Sequence, residues 1–302
     1  MSRYQFIDNE RPHYPVDVLC RTLGVAPARY YAWRTRQRAT TAAPAAACVA
    51  WQVALEQVFW HHKRRYGTRR LRAELQAQGY RVGRQGLRRA LRQRGLRAVQ
   101  PRAYTPRTTD STHGWRCAPN RLLDQPAATR ANQVWGSDIT YLPLASGQWA
   151  YLCAFQDAYT RQVVGWRVLG AMPEELVVSA LRCALLARWP APGLVVHSDR
   201  GGQYCGKAYR ALLDAHGCLR SQSRRNECLD NAQAESLWSR LKTEELEPRE
   251  WPVFRDLADA QQSVASYFDY YNHERRHSAL AYQTPQAFYL QQLKNTILNS
   301  LA

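Results

Sequence analysis

The chain has 302 residues, a formal net charge of +18, and 45% hydrophobic and 11% aromatic residues. This composition excludes a mostly disordered chain, and the length predicts two domains. No apolar run approaches the roughly 18–20 residues that cross a bilayer. Residues 1–11 lack the apolar stretch of a secretory signal, and the eight cysteines form no C-x-x-C pair. We therefore expect reduced thiols, a cytoplasmic location and no membrane partner.

The positive charge is concentrated in the first part of the chain. Residues 1–125 hold 24 Lys and Arg against 7 Asp and Glu, whereas residues 126–302 hold 18 against 17. An ordinary solvent-exposed face mixes the two signs, so this asymmetry favours a module that binds a polyanion. Nucleic acid is favoured over a membrane surface, because neither a lipidation motif nor a strongly apolar helix face accompanies the charge.

Residues 1–40 are predicted to form an N-terminal helical segment, a candidate helix-turn-helix. Within it, residues 15–38 show two short stretches of helical apolar spacing, and Gly24 separates them. Residues 40–50 are rich in Ala, Thr and Pro, and this composition predicts a linker.

Residues 51–98 are predicted to form a basic, helix-turn-helix-like domain that binds DNA. Leucines at helical spacing indicate two helices, joined by a turn at 79–83 that has glycine at both ends. Four arginines are expected on the outer face of the second helix, where a recognition helix meets the phosphate backbone: Arg84, Arg88, Arg89 and Arg92. A basic helical hairpin can also be a structural or protein-contacting module, and this alternative stays open. Residues 99–127, rich in Pro and Arg, are predicted to be a second, basic linker.

From residue 133 the apolar pattern changes from helical spacing to alternation, which predicts β-strands. Three consecutive strands predict an antiparallel meander, and β/α units follow in the order β-β-β-α-β-α-β-α. The predicted strands are 134–144, 149–157, 162–169, 194–197 and 218–222, and the predicted helices are 174–189, 207–216, 231–246 and 254–271. This order predicts an α/β fold with a mixed five-stranded sheet flanked by helices. We place the core at 128–250 and a C-terminal helical extension at 251–302.

Three acidic residues in this second part have unusual positions. Asp138 lies inside the first predicted strand, Asp199 follows the short buried strand, and Glu235 lies on a predicted helix. That helix begins at Asp230 and Asn231, a good capping pair. Any one acid alone is explained by a salt bridge or a helix cap. Three convergent carboxylates would repel one another unless cations neutralise them. Oxygen ligands favour Mg²⁺ or Mn²⁺, and a pair of such ions can catalyse phosphoryl transfer.

Four segments carry a resemblance to a known family: WGSDITY at 135–141, HSDRGGQY at 197–204, NAQAESLWSRLK at 231–242 and YYNHERRHSAL at 270–280. They resemble the retroviral-integrase-like core of DDE transposases, and in detail the second-frame product (OrfB) of the IS3 group of insertion sequences. Upstream, residues 66–96 resemble that family's basic helix-turn-helix segment, and residues 19–33 resemble its amino end. The resemblance implies an RNase H-like fold, preceded by small all-α helix-turn-helix segments.

The resemblance also implies roles and partners. Asp138, Asp199 and Glu235 would be the catalytic, metal-binding triad, holding two Mg²⁺ (or Mn²⁺) ions. Lys242 resembles the family's basic residue that contacts DNA near the cleaved phosphate, with a plain surface lysine as the alternative. Double-stranded DNA, from the element ends and the target, would be the substrate. We further expect the chain to form a homo-oligomer on DNA and to work with a first-frame partner protein, separate or fused by frameshifting. We expect it in the bacterial cytoplasm, associated with the nucleoid.

One further motif has the form of a zinc site. Residues 273–277 match the H-E-x-x-H pattern of zinc peptidases. No Asp, Glu or His follows His277 in the sequence to act as a third ligand, so we do not assign zinc to this motif.

Together these patterns predict a DNA transposase subunit that cleaves strands at insertion-sequence ends and transfers the 3′-hydroxyl, with Mg²⁺ as its cofactor. Two alternatives stay open. A regulatory DNA-binding protein of the element would carry the same basic module with an inactive core. A hydrolase-only RNase H-type nuclease would share the metal site without joining strands.

Overall fold

The computed structural model describes residues 2–42, 45–100, 117–123, 125–224 and 227–301. The chain divides into two compact units, Met1–Leu96 and Arg97–Ala302. The first unit is helical and the second is α/β. No helix in the described ranges has both the length and the apolar character that a membrane span requires.

The described residues of the first unit form six helices. In chain order they are α1 (Arg3–Glu10), α2 (Val16–Thr22), α3 (Pro27–Ala42), α4 (Ala45–His61), α5 (Thr68–Ala77) and α6 (Arg84–Gln93). The two helices predicted within 15–38 are confirmed as α2 and α3, and the two predicted within 51–98 as α5 and α6. α1 lies within the helical segment predicted at 1–40 but is not predicted as a separate helix, because Ile7 is its single buried residue and one buried position produces no periodic pattern.

The linker predicted at 40–50 is wrong over most of its length. α3 continues to Ala42 and α4 begins at Ala45, so the described part of this stretch is helical. Alanine has the highest intrinsic helix propensity, and an alanine-rich segment therefore extends helices as readily as it separates them. Most of the second predicted linker, 99–127, lies outside the described residues, and its described residues form neither helix nor strand.

α1, α2 and α3 pack around one small core of buried residues: Ile7, Leu19, Cys20 and Tyr30. The Tyr30 hydroxyl donates a hydrogen bond to the Asp8 carboxylate at 2.8 Å, so the polar end of this buried ring has a partner. α5 and α6 bury Leu71 and Leu87. Gly79 lies in the turn between these two helices at φ +89°, a conformation that glycine adopts without strain.

The second unit is built on a mixed five-stranded sheet, which confirms the predicted fold class. The strands are β1 (Val134–Pro143), β2 (Trp149–Asp157), β3 (Val163–Leu169), β4 (Val195–Ser198) and β5 (Leu219–Gln222). Their spatial order is β3-β2-β1-β4-β5. The pairs β1–β2 and β2–β3 are antiparallel, whereas β1–β4 and β4–β5 are parallel. β1 therefore lies at the centre, between the antiparallel and the parallel half of the sheet.

Helices lie on both faces of this sheet. They are α7 (Glu174–Arg188), α8 (Lys207–Ala215), α9 (Ala232–Leu241), α10 (Leu257–His273) and α11 (Pro285–Leu301). Gly165 of β3 faces α7, whereas the next residue, Trp166, packs on Phe268 of α10 with ring centroids 5.8 Å apart. Successive side chains of a strand point to opposite faces, so α7 and α10 lie on opposite faces of the sheet. The main core lies on the α7 side and includes Trp135 and Phe155.

The helix predicted at the start of the C-terminal extension begins later than expected. It was expected over 254–271, but Phe254 pairs with Leu144 as an isolated β-bridge and therefore is not helical. The Asp256 carboxylate then caps α10 by accepting a hydrogen bond from a backbone N–H of the first turn at 2.8 Å.

We predict that Gly165→Ala lowers the free energy of unfolding by about 1–3 kcal/mol, as overpacking of a filled core does. A Cβ atom at Gly165 would lie 2.4 Å from the backbone nitrogen of Ala184 on α7. Gly136→Ala on β1 is the matched control, since a Cβ atom there meets no atom of the described residues within 4 Å apart from its chain neighbours. Chemical denaturation measures both variants, and equal free energies of unfolding would contradict this packing.

Candidate active site

Asp138 and Asp199 lie side by side because β1 and β4 pair in parallel. The register aligns Ser137 with Ser198, so the next position is Asp138 on β1 and Asp199 just beyond the end of β4. Both serines are buried. Because side chains alternate along a strand, the serines point to one face of the sheet and the two carboxylates to the other.

α9 brings the third predicted acid to these carboxylates. This helix packs on β1, and the indole Nε1 of Trp238 donates a hydrogen bond to Oδ2 of Asp138 at 3.0 Å. Glu235 lies three residues before Trp238, on the same side of the helix. Its charge also acts on the pKa of Asp138. The structure thus brings Asp138, Asp199 and Glu235 close enough for their charges to interact.

The charged form of Asp138 is disfavoured in this cluster. Burial raises the pKa of Asp138 to about 8, and the charges of Asp199 and Glu235 add to that effect. The hydrogen bond from Trp238 acts in the opposite direction, because it stabilises the charged form. A cation bound among these carboxylates would relieve their mutual repulsion.

The loop that follows β4 wraps closely around Asp199. The backbone N–H of Gly201 donates a hydrogen bond to Oδ1 of Asp199 at 2.9 Å. A Cβ atom at Gly201 would lie only 3.1 Å from the same oxygen. Glycine therefore lets the backbone approach and orient this carboxylate.

The capping role predicted for Asp230 and Asn231 is confirmed for the position of Asn231, but not for its side chain or for Asp230. Asn231 occupies the N-cap position of α9, but its side chain makes no capping hydrogen bond. Asp230 instead accepts hydrogen bonds from Arg224 and from Asn120. The hydrogen bond from the Arg224 side chain is the largest cause that lowers the pKa of Asp230 to about 2. Asp230 therefore joins two segments of the second unit and does not cap the helix.

The helix predicted at 231–246 changes its winding near its end. α9 is followed by a π-helical turn, Lys242–Leu246, in which the Glu247 backbone N–H donates to the Lys242 carbonyl at 3.3 Å. Lys242 is half-buried. Burial lowers its pKa, while the nearby charge of Asp138 raises it. The Lys242 ammonium group is therefore within electrostatic range of the acidic cluster.

A buried ion pair holds the π-turn against the end of α10. The Glu244 and Arg275 side chains are 7% and 1% exposed, and their shortest contact is 2.6 Å. The Tyr267 hydroxyl donates to the same carboxylate at 3.2 Å. Arg275 belongs to the H-E-x-x-H sequence, but α10 ends at His273, so His273 and His277 do not share one helix as in a zinc peptidase.

Asp138, Asp199 and Glu235 form a donor set that suits a hard cation. Carboxylate oxygens favour Mg²⁺ or Mn²⁺ over softer ions. Within the described ranges, no three His, Cys, Asp or Glu side chains are already arranged as ligands of one ion.

The four arginines predicted to contact DNA are all exposed on α6: Arg84, Arg88, Arg89 and Arg92. Leu87, Ala90 and Leu91 are buried on the opposite side of the same helix. The exposed face of α6 is therefore basic along its length.

Sequence reasoning misses two residues of the site, Trp238 and Gln156. Helical spacing from Glu235 is the one signal that points to Trp238. Gln156 of β2 is buried, accepts a hydrogen bond from Gln233 of α9 at 3.3 Å, and donates one to the Tyr271 hydroxyl at 2.9 Å. No local pattern indicates this network, because its members come from three elements that are distant in sequence.

We predict that Arg275→Met lowers the free energy of unfolding by about 3–5 kcal/mol, because it leaves the Glu244 carboxylate buried without its partner. The double variant Arg275→Met with Glu244→Leu removes both charges and should recover most of that loss. Urea denaturation of the three proteins measures the effect. An Arg275→Met protein as stable as the unmodified chain would argue against the ion pair.

Comparison with known proteins places these features in a family. Two integrase core domain profiles match residues 128–228 and 216–285, and an HTH-like domain profile matches residues 52–104. The "Insertion element IS600 uncharacterized 31 kDa protein" of Shigella sonnei is 37% identical over 273 residues, which cover 89% of this chain and 97% of that protein. The "Transposase InsF for insertion sequence IS3A" of Escherichia coli K12 is 34% identical over 287 residues, which cover 95% of this chain and 98% of that protein.

Among solved structures, the chain is similar to the HTLV-2 integrase catalytic core domain in complex with magnesium. The TM-score is 0.42 at 12% identity, and the match covers 53% of this chain and 97% of that chain. The identity to the insertion-element proteins, which extends over nearly the whole chain, is the decisive finding. With its integrase core and HTH-like domain, the chain belongs to the IS3 family of insertion-sequence transposases.

Proposed function

We propose that this protein is the catalytic subunit of a DNA transposase, which cleaves DNA strands at the ends of an insertion sequence and joins the freed 3′-hydroxyl to target DNA. The parallel pairing of β1 with β4 carries the proposal, because it sets Asp138 beside Asp199. The helix that carries Glu235 is bonded to Asp138 through Trp238. The name of the IS3A relative, a transposase, supports the same activity.

Asp138 and Asp199 are the proposed ligands of two Mg²⁺ or Mn²⁺ ions, and Glu235 completes one of the two positions. When bound, the ions would activate the attacking oxygen and stabilise the leaving oxygen of an in-line displacement. Trp238 orients one oxygen of Asp138, and the Gly201 N–H orients one oxygen of Asp199. Both aspartates are thus held in place by donors of the chain itself.

The proposed reaction has two steps, and neither forms a covalent bond between protein and DNA. In the first step, a water oxygen bonds to phosphorus and the bond to the 3′-oxygen breaks, which leaves a 3′-hydroxyl and a 5′-phosphate. In the second step, that 3′-oxygen bonds to the phosphorus of another phosphodiester and loses its proton. The displaced 3′-oxygen gains a proton as it leaves, so the number of phosphodiester bonds is unchanged.

Lys242 is proposed to contact DNA beside the scissile phosphate. Its ammonium group is within range of the Asp138 charge, and the π-turn that begins with Lys242 is anchored by Glu244 and Arg275. A lysine in this position offers a point charge to a phosphate oxygen. The anchoring restricts where that charge can lie relative to the acidic cluster.

The exposed face of α6 is proposed to bind duplex DNA, mainly through phosphate contacts from Arg84, Arg88, Arg89 and Arg92. The HTH-like match covers this helix. We further propose that the chain works as a homo-oligomer on DNA in the bacterial cytoplasm, associated with the nucleoid. A first-frame protein, separate or fused by frameshifting, would supply further recognition of the element ends.

We predict that Asp138→Asn, Asp199→Asn and Glu235→Gln each lower strand cleavage by at least about 100-fold, because each removes a proposed metal ligand. DNA binding in EDTA should be unchanged. The assay uses labelled plasmid DNA with the element ends, with and without Mg²⁺. Glu175→Gln, an exposed carboxylate change on α7, is the matched control and should retain full activity.

Product analysis decides between the proposed activity and its alternatives. Joined products that disappear in Glu235→Gln would support a transposase. Nicking without joining, by the chain and by its first-frame fusion, would instead indicate a nuclease. Tight DNA binding without any cleavage by either protein would indicate a regulator, and both of these results would contradict the proposal.

We predict that the double variant Arg88→Gln with Arg89→Gln weakens DNA binding by about 10-fold at roughly 0.1 M salt, because it removes two cations that face the phosphates. The effect should be equal for element ends and random duplexes, because phosphate contacts carry no sequence information. Gln85→Ala, on the exposed face of the same helix, is the control. Filter binding or fluorescence anisotropy measures the affinities, and an unchanged affinity would exclude α6 from the interface.

A further inference from the structure

A short segment of the second unit runs along the edge of the sheet. β5 is the edge strand, and residues 117–123, the edge strap, lie beside it. The Ala118 backbone N–H donates to Oε1 of Gln222 at 2.7 Å, and the Arg121 backbone N–H donates to Oγ of Ser221 at 2.9 Å. These two hydrogen bonds fix the strap on β5 and hold Arg121 beside the strand.

A pocket of about 360 Å³ lies between the edge strap, β5 and α8. Three arginines line it, Arg121 of the strap, Arg210 of α8 and Arg220 of β5, together with the single carboxylate of Asp214. Among the residues that the structure describes, no carboxylate forms an ion pair with these three arginines. Arg121 donates to the Arg220 carbonyl, and Arg210 donates to the Gly206 carbonyl.

The lining of this pocket favours an anion. Three arginines against one aspartate give the lining a net positive charge, which a bound anion would neutralise. The planar guanidinium group presents parallel N–H donors that match the oxygens of a phosphate group. A phosphate group is therefore the anion that this arrangement fits.

The adjoining sequence indicates a polymer of phosphates. The residues before the edge strap, 99–116, include Arg102, Arg107 and Arg116, so the pocket lies at the end of a basic stretch of sequence. The affinity of a chain of phosphodiesters rises with each additional protein cation that neutralises one of its phosphates, whereas a single phosphate group can use only the nearest cations. The pocket is at the N-terminal end of β5, and Asp199 follows the opposite end of the parallel strand β4. It is therefore separate from the acidic cluster.

We propose that the pocket lined by Arg121, Arg210 and Arg220 binds a phosphodiester of the DNA substrate and holds the duplex at a distance from the active site. The inference rests on the proposed function for the identity of the polymer. One end of the parallel half of the sheet then anchors DNA, while the acidic cluster at the other end acts on it.

The first measurement is DNA binding in EDTA, which is independent of the proposed cleavage chemistry. A labelled duplex of random sequence is titrated with the full-length chain and with a triple variant, Arg121→Gln, Arg210→Gln and Arg220→Gln. We expect the triple variant to bind about 10-fold more weakly at roughly 0.1 M salt. The slope of log K against log salt concentration should become less negative by about 0.9 for each phosphate that is no longer neutralised. Arg182→Gln, an exposed arginine of α7, is the control and should bind like the unmodified chain.

The second measurement is local, because Cys117 lies in the wall of the pocket. Bound DNA should slow the alkylation of Cys117 by iodoacetamide severalfold, as measured by mass spectrometry, in the unmodified chain but not in the triple variant. Cys183 on α7, which is half-buried like Cys117, is the internal control. Inorganic phosphate at millimolar concentration should not protect Cys117.

Unchanged affinity and salt dependence in the triple variant would overturn the proposal, as would protection of Cys117 by DNA that persists in that variant. Protection by inorganic phosphate equal to that by DNA would assign the pocket to free phosphate and would also overturn it. A second triple variant, Arg121→Lys, Arg210→Lys and Arg220→Lys, keeps the charges and should restore the salt dependence. A lysine variant that does not restore the salt dependence would contradict binding through charge and would also overturn the proposal.

Discussion

Four aligned residue pairs, from Val134 with Val195 to Ser137 with Ser198, join β1 to β4, and the acidic cluster depends on them. Parallel strands cannot be joined by a tight turn and require a long connection. Here β2, β3 and α7 make that connection, and they also bury the main core on one face. The opposite face is left to α9 and α10. The same ladder thus fixes which face carries the carboxylates and which face carries the hydrophobic core.

The features that could be predicted from the sequence are those with a local signal. Alternating apolar residues mark β1 to β3, an acid inside a strand marks Asp138, and an acid at a strand end marks Asp199. The alanine-rich stretch is ambiguous, because its composition suits both a helix and a linker. The π-turn after α9 depends on Glu244 and its distant partner Arg275, so no local pattern contains it. The hydrogen bond from Trp238 to Asp138 depends on the packing of α9 on β1, which no local pattern indicates.

The charge of the chain and the charge of its acidic cluster are opposite in sign, and the proposed function requires both. The basic HTH-like domain attracts a polyanion at long range. At short range, charged carboxylates in the cluster of Asp138, Asp199 and Glu235 repel the same phosphates. Cations in the cluster would convert the repulsion into attraction. Under the proposed function, metal binding and close approach of the scissile phosphate are therefore thermodynamically linked.

The π-turn limits how the length of this chain can vary. A π-turn holds one residue more than the α-helical turn it replaces, so the loss of one codon within 242–246 would restore a continuous α-helix. The residues after the deletion would keep nearly the same phase around the helix axis, whereas those inside the turn would be rewound. Glu244 lies inside the turn, so its carboxylate would leave the position from which it meets the buried Arg275 guanidinium. An ordinary surface helix tolerates such a deletion at its end, whereas here the length of the five-residue segment Lys242–Leu246 is part of the fold.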